Sequence, residues 1–169
     1  MRTADEMYNY AKENGYGTGL TKGWSKKHFK VLENNLRKGE EVYMTFIGFK
    51  DMAGVSHDNT YAYAITNERI MMGQKKLIGE NFISVVLDNI NDISLNKKLA
   101  YGILTFDTIK ETFNVGVIKN ISQNILEESS RIIFDMRKGN LSGVGASKGS
   151  EDTKGPTDPV DELRKYKEL

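Results

Sequence analysis

The spacing of apolar residues changes its period along this chain, and those changes leave few folds open. From Glu41 to about Val117 the residues alternate. Glu41–Lys50 places Val42, Met44 and Phe46 on one face and Tyr43, Thr45, Ile47 and Phe49 on the other, a long strand. Further alternating runs cover Thr60–Thr66, Arg69–Leu77, Phe82–Leu87, Ile93–Lys98, about Ile103–Thr108 and Thr112–Val117, separated by turns such as Asn67-Glu68 and Tyr101-Gly102. From Asn120, read as an N-cap, to about Lys138 the period is helical, with Ile121, Ile125, Ile132, Ile133 and Met136 on one stripe. Seven short strands at hairpin spacing predict a mainly β chain, an antiparallel barrel or sandwich. Such a barrel leaves an open mouth, and the apolar stripe of the following helix suits a plug over it.

The flanks are helical. Residues 3–13 carry a capping box, Thr3 with Glu6, and an apolar face of Ala4, Met7, Tyr8 and Ala11. Gly15, Gly17 and Gly19 end that helix, and a second is predicted from about Trp24 to Leu36. Residues 139–157 hold five glycines and three serines and read as a flexible linker spanning about 25 Å. Asp158–Leu169 reads as a last helix, with Asp158 at N-cap and Pro159 at N1. The expected organisation is an N-terminal helical extension over 1–36, a β domain with its closing helix over 37–138, the linker over 139–157 and a short helix over 158–169.

Composition narrows the chemistry. The 169 residues hold 24 Lys/Arg and 23 Asp/Glu, a net charge of +1, so no global attraction for nucleic acid is expected. There is no cysteine, which removes disulfides, thiolate catalysis and zinc–cysteine sites and is compatible with a reducing compartment. No stretch has the length and apolarity of a bilayer span and no apolar signal core opens the chain, so a cytoplasmic protein is expected.

Several motifs have chemical look-alikes. Gly15-x-Gly17-x-Gly19 follows a helix rather than a strand, so it reads as a flexible connector and not a phosphate loop. Ser94 and Lys97 match a serine–lysine pair in letters, but residues three apart on a strand face opposite ways. Asp88, Asn91 and Asp92 lack the glycine and closing glutamate of a calcium loop and read as a turn. His28 and His57 have no ligand-spaced partners. No metal, no cofactor and no catalytic residue is assigned.

The stretches Leu36–Phe49 (LRKGEEVYMTFIGF), Tyr63–Gly73 (YAITNERIMMG) and Val86–Leu95 (VLDNINDISL), followed by the helix from Asn120, resemble the bacterial pleckstrin-homology domains of the YokE-like family. The turn Thr66-Asn67-Glu68-Arg69 is the most specific part. The resemblance implies a seven-stranded barrel capped by a C-terminal helix and a binding module rather than an enzyme. The opening of the last segment, Asp158-Pro159-Val160-Asp161-Glu162-Leu163, is similar to the start of the short C-terminal SHOCT module. Pleckstrin-homology domains that grip phosphoinositides use basic residues around their first two strands. Here Lys50 is the sole Lys/Arg between Lys38 and Arg69, against Asp51 and Asp58, so phosphoinositide binding is not expected.

Two functions compete. The first is protein association, with Val160, Leu163, Tyr166 and Leu169 as the docking face of the last helix, on a partner protein or a second copy, with docking between molecules favoured. The second is peripheral binding to an anionic membrane through the basic helix around Trp24, using Lys22, Lys26, Lys27 and Lys30.

Overall fold

The computed structural model describes residues 1–50 and 56–139. Their elements run in the order α1 (Ala4–Glu13), α2 (Lys22–Asn34), β1 (Val42–Phe49), β2 (Thr60–Thr66), β3 (Arg69–Lys75), β4 (Glu80–Val86), β5 (Ile90–Lys97), β6 (Tyr101–Thr108), β7 (Thr112–Ile118) and α3 (Lys119–Arg137). The strands form one antiparallel seven-stranded sheet in the order β4-β3-β2-β1-β7-β6-β5. Mainly β with helices, the architecture is of the pleckstrin-homology type, and α3 follows the last strand as its closing helix.

The sheet curls, and its first three strands are buried on both faces. Every residue of β2 is buried, and β3 is buried up to Gln74. On β1 the alternation sorts the two faces. The Thr45 hydroxyl donates to the Met7 carbonyl of α1 at 2.7 Å, while Met44 lies on the other face against Ser129 of α3. So α1 and α2 cover the outside of the sheet and α3 fills its inside. Met7, Ala11, Phe29 and Leu32 belong to the same core as Phe46, Phe106, Ile125 and Ile132. The N-terminal helices are thereby part of the domain's packing. β5 is half exposed, and β6 alternates strictly between buried and half-buried residues.

The helix caps follow the sequence with one correction. Thr3 makes the full capping box with Glu6. α2 begins at Lys22, because the Thr21 side chain accepts from the Trp24 amide. α3, by contrast, is not capped by Asn120. It starts at Lys119 behind Ile118, with no side-chain cap, because β7 runs straight into it and the Lys119 amide is taken by the Ala100 carbonyl. The stretch expected to be loop at Asp88–Asp92 is a short 3-10 turn at Leu87–Asn89, after which β5 already starts at Ile90.

Candidate docking groove

Strands β1 and β7 pair at one register position, Phe49 with Gly116. Below it they diverge, and the edge of β1 has to be satisfied from elsewhere. The N-terminal segment does this. The Met1 ammonium donates to the Val42 carbonyl at 2.9 Å, the Val42 amide donates to the Met1 carbonyl at 3.1 Å, and the Ile47 amide donates to the Tyr16 carbonyl at 3.0 Å.

The glycine-rich stretch 15–19 is therefore a fixed connector, laid along β1, rather than the flexible one expected. Gly15, Gly17 and Gly19 have φ of 70°, 93° and 70°, the left-handed region where a β-carbon is penalised. At Gly17 a β-carbon would stand 3.3 Å from both the β-carbon and the carbonyl oxygen of Ile47. At Gly19 it would stand 2.2 Å from the Ser25 hydroxyl, which donates to the Thr18 and Thr21 carbonyls.

This connector, the end of β1, the β5–β6 turn and the β7–α3 junction enclose a groove of about 540 Å³. Its walls include Leu20, Ile47, Phe49, Tyr101, Ile118 and Ile121. Leu20 is 46% exposed and Ile118 is 52% exposed, so the apolar wall continues to the surface. Among the described residues, the lining holds no carboxylate, histidine, lysine or arginine. Such a site can bury apolar groups, but it offers no acid–base pair, no nucleophile with its base and no metal ligand set.

The basic helix face is differently placed. Lys26 is ion-paired with Asp5, and Lys30 with Glu33 at 2.5 Å. Trp24 is half-buried, stacked at 6.0 Å on the buried His28 ring, with the Lys27 ammonium 4.9 Å from its centre. Lys22 is exposed. The apolar side of α2, including Phe29 and Leu32 of the core, is turned into the sheet. The candidate docking residues Val160, Leu163, Tyr166 and Leu169 lie outside the described residues.

The open end of the barrel collects the loops after β1, β3 and β6. A cavity of about 330 Å³ there is lined by Lys50, Tyr61, Tyr63 and Glu111 among others, one cation facing one carboxylate. Among the look-alike motifs, Ser94 and Lys97 sit on β5 opposite Thr105 and Gly102. Asn91 donates to Asp107 at 3.3 Å. The His28 Nδ1 accepts from the Lys75 amide at 2.8 Å, which fixes α2 to the end of β3. No group of three or more His, Asp or Glu among the described residues is placed to hold a metal ion.

The groove itself is not visible in the sequence. Its walls come from four segments separated by up to about a hundred residues, and the one local signal was the run of alternate glycines read as a connector.

Three solved structures share the general shape. The C-terminal domain of an unknown protein from Leishmania infantum is 15% identical, with a TM-score of 0.47 over 67% of this chain and 97% of that one. A DUF1696 family protein with a pleckstrin-homology domain from Shewanella loihica is 12% identical, with a TM-score of 0.40 over 65% and 90%. The hSac2 domain from human phosphoinositide phosphatase Sac2 is 12% identical, with a TM-score of 0.43 over 70% and 89%. Among curated proteins, none matches this chain in sequence. The model of the bacterial PH domain matches residues 36–135, from just before the buried Glu40 to the last turns of α3, and the chain belongs to that family.

Proposed function

We propose that this protein is a non-catalytic association module whose apolar groove receives a segment of a partner protein. The observation that carries this reading is the groove itself: about 540 Å³, apolar, open to the surface through Leu20 and Ile118, and lined, among the described residues, by no ionisable pair able to do chemistry. A cytoplasmic setting is part of this reading, and a chain without cysteine is compatible with a reducing compartment. The finer kinship, with the YokE-like branch and with the SHOCT module for the last segment, is supported by the sequence stretches on β1, β2–β3 and β4–β5 and by the Asp158–Leu163 pattern.

Peripheral membrane binding through Lys22, Trp24, Lys26, Lys27 and Lys30 has less support. Two of those lysines are already ion-paired, and the apolar face that would enter a lipid surface is spent on the sheet.

The test compares the intact protein with Ile118→Glu. Proteins retained from a host lysate by the intact chain are expected to be lost with the variant, while its melting temperature stays the same. Retention of the same proteins by both sinks the groove as the association surface. Co-sedimentation of the intact chain with anionic vesicles, abolished by Lys22→Glu with Lys27→Glu, would replace this reading with the membrane one.

A further inference from the structure

We propose that the groove is also the seat of the chain's own segment 158–169, folded back within one molecule so that it competes with a partner. This rests on the reading of the groove as a surface that docks apolar peptide.

Geometry permits the return. The groove lies at the start of α3, where Ile118 and Ile121 line it, and residues 140–169 continue from the other end of that helix. Nineteen residues of α-helix are about 28 Å long. A random coil of 18 residues, the number in 140–157, spans about 25 Å on average and up to about 60 Å when extended. The segment therefore reaches the groove without disturbing α3.

Chemistry then matches the two. The segment offers Val160, Leu163, Tyr166 and Leu169 to apolar walls. Its first residues include Asp158, Asp161 and Glu162. Beside the groove, Lys22, Lys98 and Lys119 are exposed, each within two residues of a lining position. None of the three has a carboxylate within ion-pair distance among the described residues. An acidic start lying beside the lysines, with the apolar row running from Val160 on to Leu169, sets the direction of docking as well as its place.

The same molecule wins over a second copy by effective concentration. A tether of this length holds its end at roughly millimolar local concentration, far above a protein at micromolar levels. A partner then has to displace the segment, and its affinity falls by the factor with which the segment occupies the groove.

Because the chain has no cysteine, Glu168→Cys gives a single site for a nitroxide on the full-length protein. The expected result is selective loss of the amide signals of Gly17, Gly19, Tyr101 and Ile118, with those of Lys76 and Ile109 at the barrel's open end kept. Mixing nitroxide-bearing chain at natural isotope abundance with ¹⁵N chain that carries no nitroxide should leave the ¹⁵N groove signals intact. Ile118→Glu and, separately, Leu163→Glu should restore the lost signals; the second variant leaves the barrel untouched, so a folding defect is not the cause. Signals kept in the labelled chain, or lost elsewhere, overturn the proposal. Losses in the mixed sample overturn the intramolecular form. If the label leaves the groove signals unchanged while lysate retention still depends on Ile118, the docking function stands and this inference alone fails. If the label acts as expected but retention ignores Ile118, the segment seats in the groove, while the groove as partner surface, and with it the competition, fails.

Discussion

Glu40 is charged and fully buried, and four donors hold it in place. Arg69 reaches it with Nε and Nη2, both at 2.9 Å; the Thr66 hydroxyl donates at 2.8 Å and the Arg37 amide at 2.9 Å. Arg69 also donates to the Asn35 carbonyl at 2.7 Å and to Ser84 at 3.1 Å. Thr66 meanwhile accepts from the Glu68 and Arg69 amides, closing the turn. The Thr66–Arg69 turn is thus a ligand for one buried carboxylate. Burial pushes the Glu40 carboxyl up, but the Arg69 guanidinium, the Arg37 amide and the Thr66 hydroxyl outweigh it and hold it below the ordinary 4.5. Arg69→Met leaves that carboxylate buried without its counter-charge, and is expected to cost about 3–5 kcal/mol in urea unfolding. A loss under about 1 kcal/mol would show that the pair is dispensable. The sign of the pH effect follows from the lowered value. The unfolded chain binds the proton more readily, so this carboxylate's contribution is complete above 4.5 and is lost as pH falls through the lower folded value. The stability advantage of the native protein over Glu40→Gln should therefore be widest near neutrality and shrink below pH 4.5; an advantage that stays constant into acid contradicts it. The sequence showed the turn as its most specific signature but not its purpose. Glu40 lies 26 residues before Thr66, and nothing in a single sequence ties the two.

At the level of elements, the helical periods identified α1, α2 and α3, and the period-2 runs identified all seven strands within a few residues of their ends. What periodicity cannot say is which helix covers which face. α2 carries a basic surface and an apolar side, and both a membrane and a sheet would suit the latter. The deciding feature is Gly73 on β3. A β-carbon there would lie 2.7 Å from Leu32 Cδ2 and 3.2 Å from the His28 carbonyl oxygen, so the missing side chain is what lets α2 sit down on the sheet. Gly73→Ala should push α2 outward and cost about 1–3 kcal/mol, with the largest amide shifts along His28–Leu32. Shifts confined to β3 and β4 would mean that α2 is not held there. The closing role of α3 has its own test. Ile125 is fully buried on the stripe facing the inside of the sheet, and Ile125→Asp puts an unpaired charge there. The expected loss is about 3–5 kcal/mol, and an unchanged melting temperature would remove α3 from the core.

On the scale of the whole molecule, the candidate docking groove lies where elements fail to meet. β1 and β7 part below Phe49, the glycine connector fills the edge, and the groove is what remains between them. A seven-stranded barrel with one helix was legible from spacing, because strand faces and helix stripes are local patterns. A gap between distant segments is not a local pattern, so the candidate groove is legible only in the folded chain. The opposite end of the barrel shows the same limit from the other side. Sequence places one cation, Lys50, near the loop after β1, while the antiparallel order brings the Lys75–Lys76 and Lys110 turns to that end as well. Counting lysines there overstates the pull on a phosphate. Lys75 is 3.7 Å from Glu80, and in the cavity Lys50 shares its walls with Glu111. Among the described residues, a polyanionic headgroup entering that cavity meets one donor side chain of positive charge and one carboxylate, which leaves most of its phosphates unpaired or facing repulsion. Titration calorimetry of the intact protein with inositol hexakisphosphate should therefore show no saturable binding in the micromolar range, and Glu111→Lys should create measurable binding by turning a repelling wall into a second donor. Low-micromolar affinity in the native protein, lost on Lys50→Glu, would make the open end a phosphate site and displace the groove as the proposed docking surface.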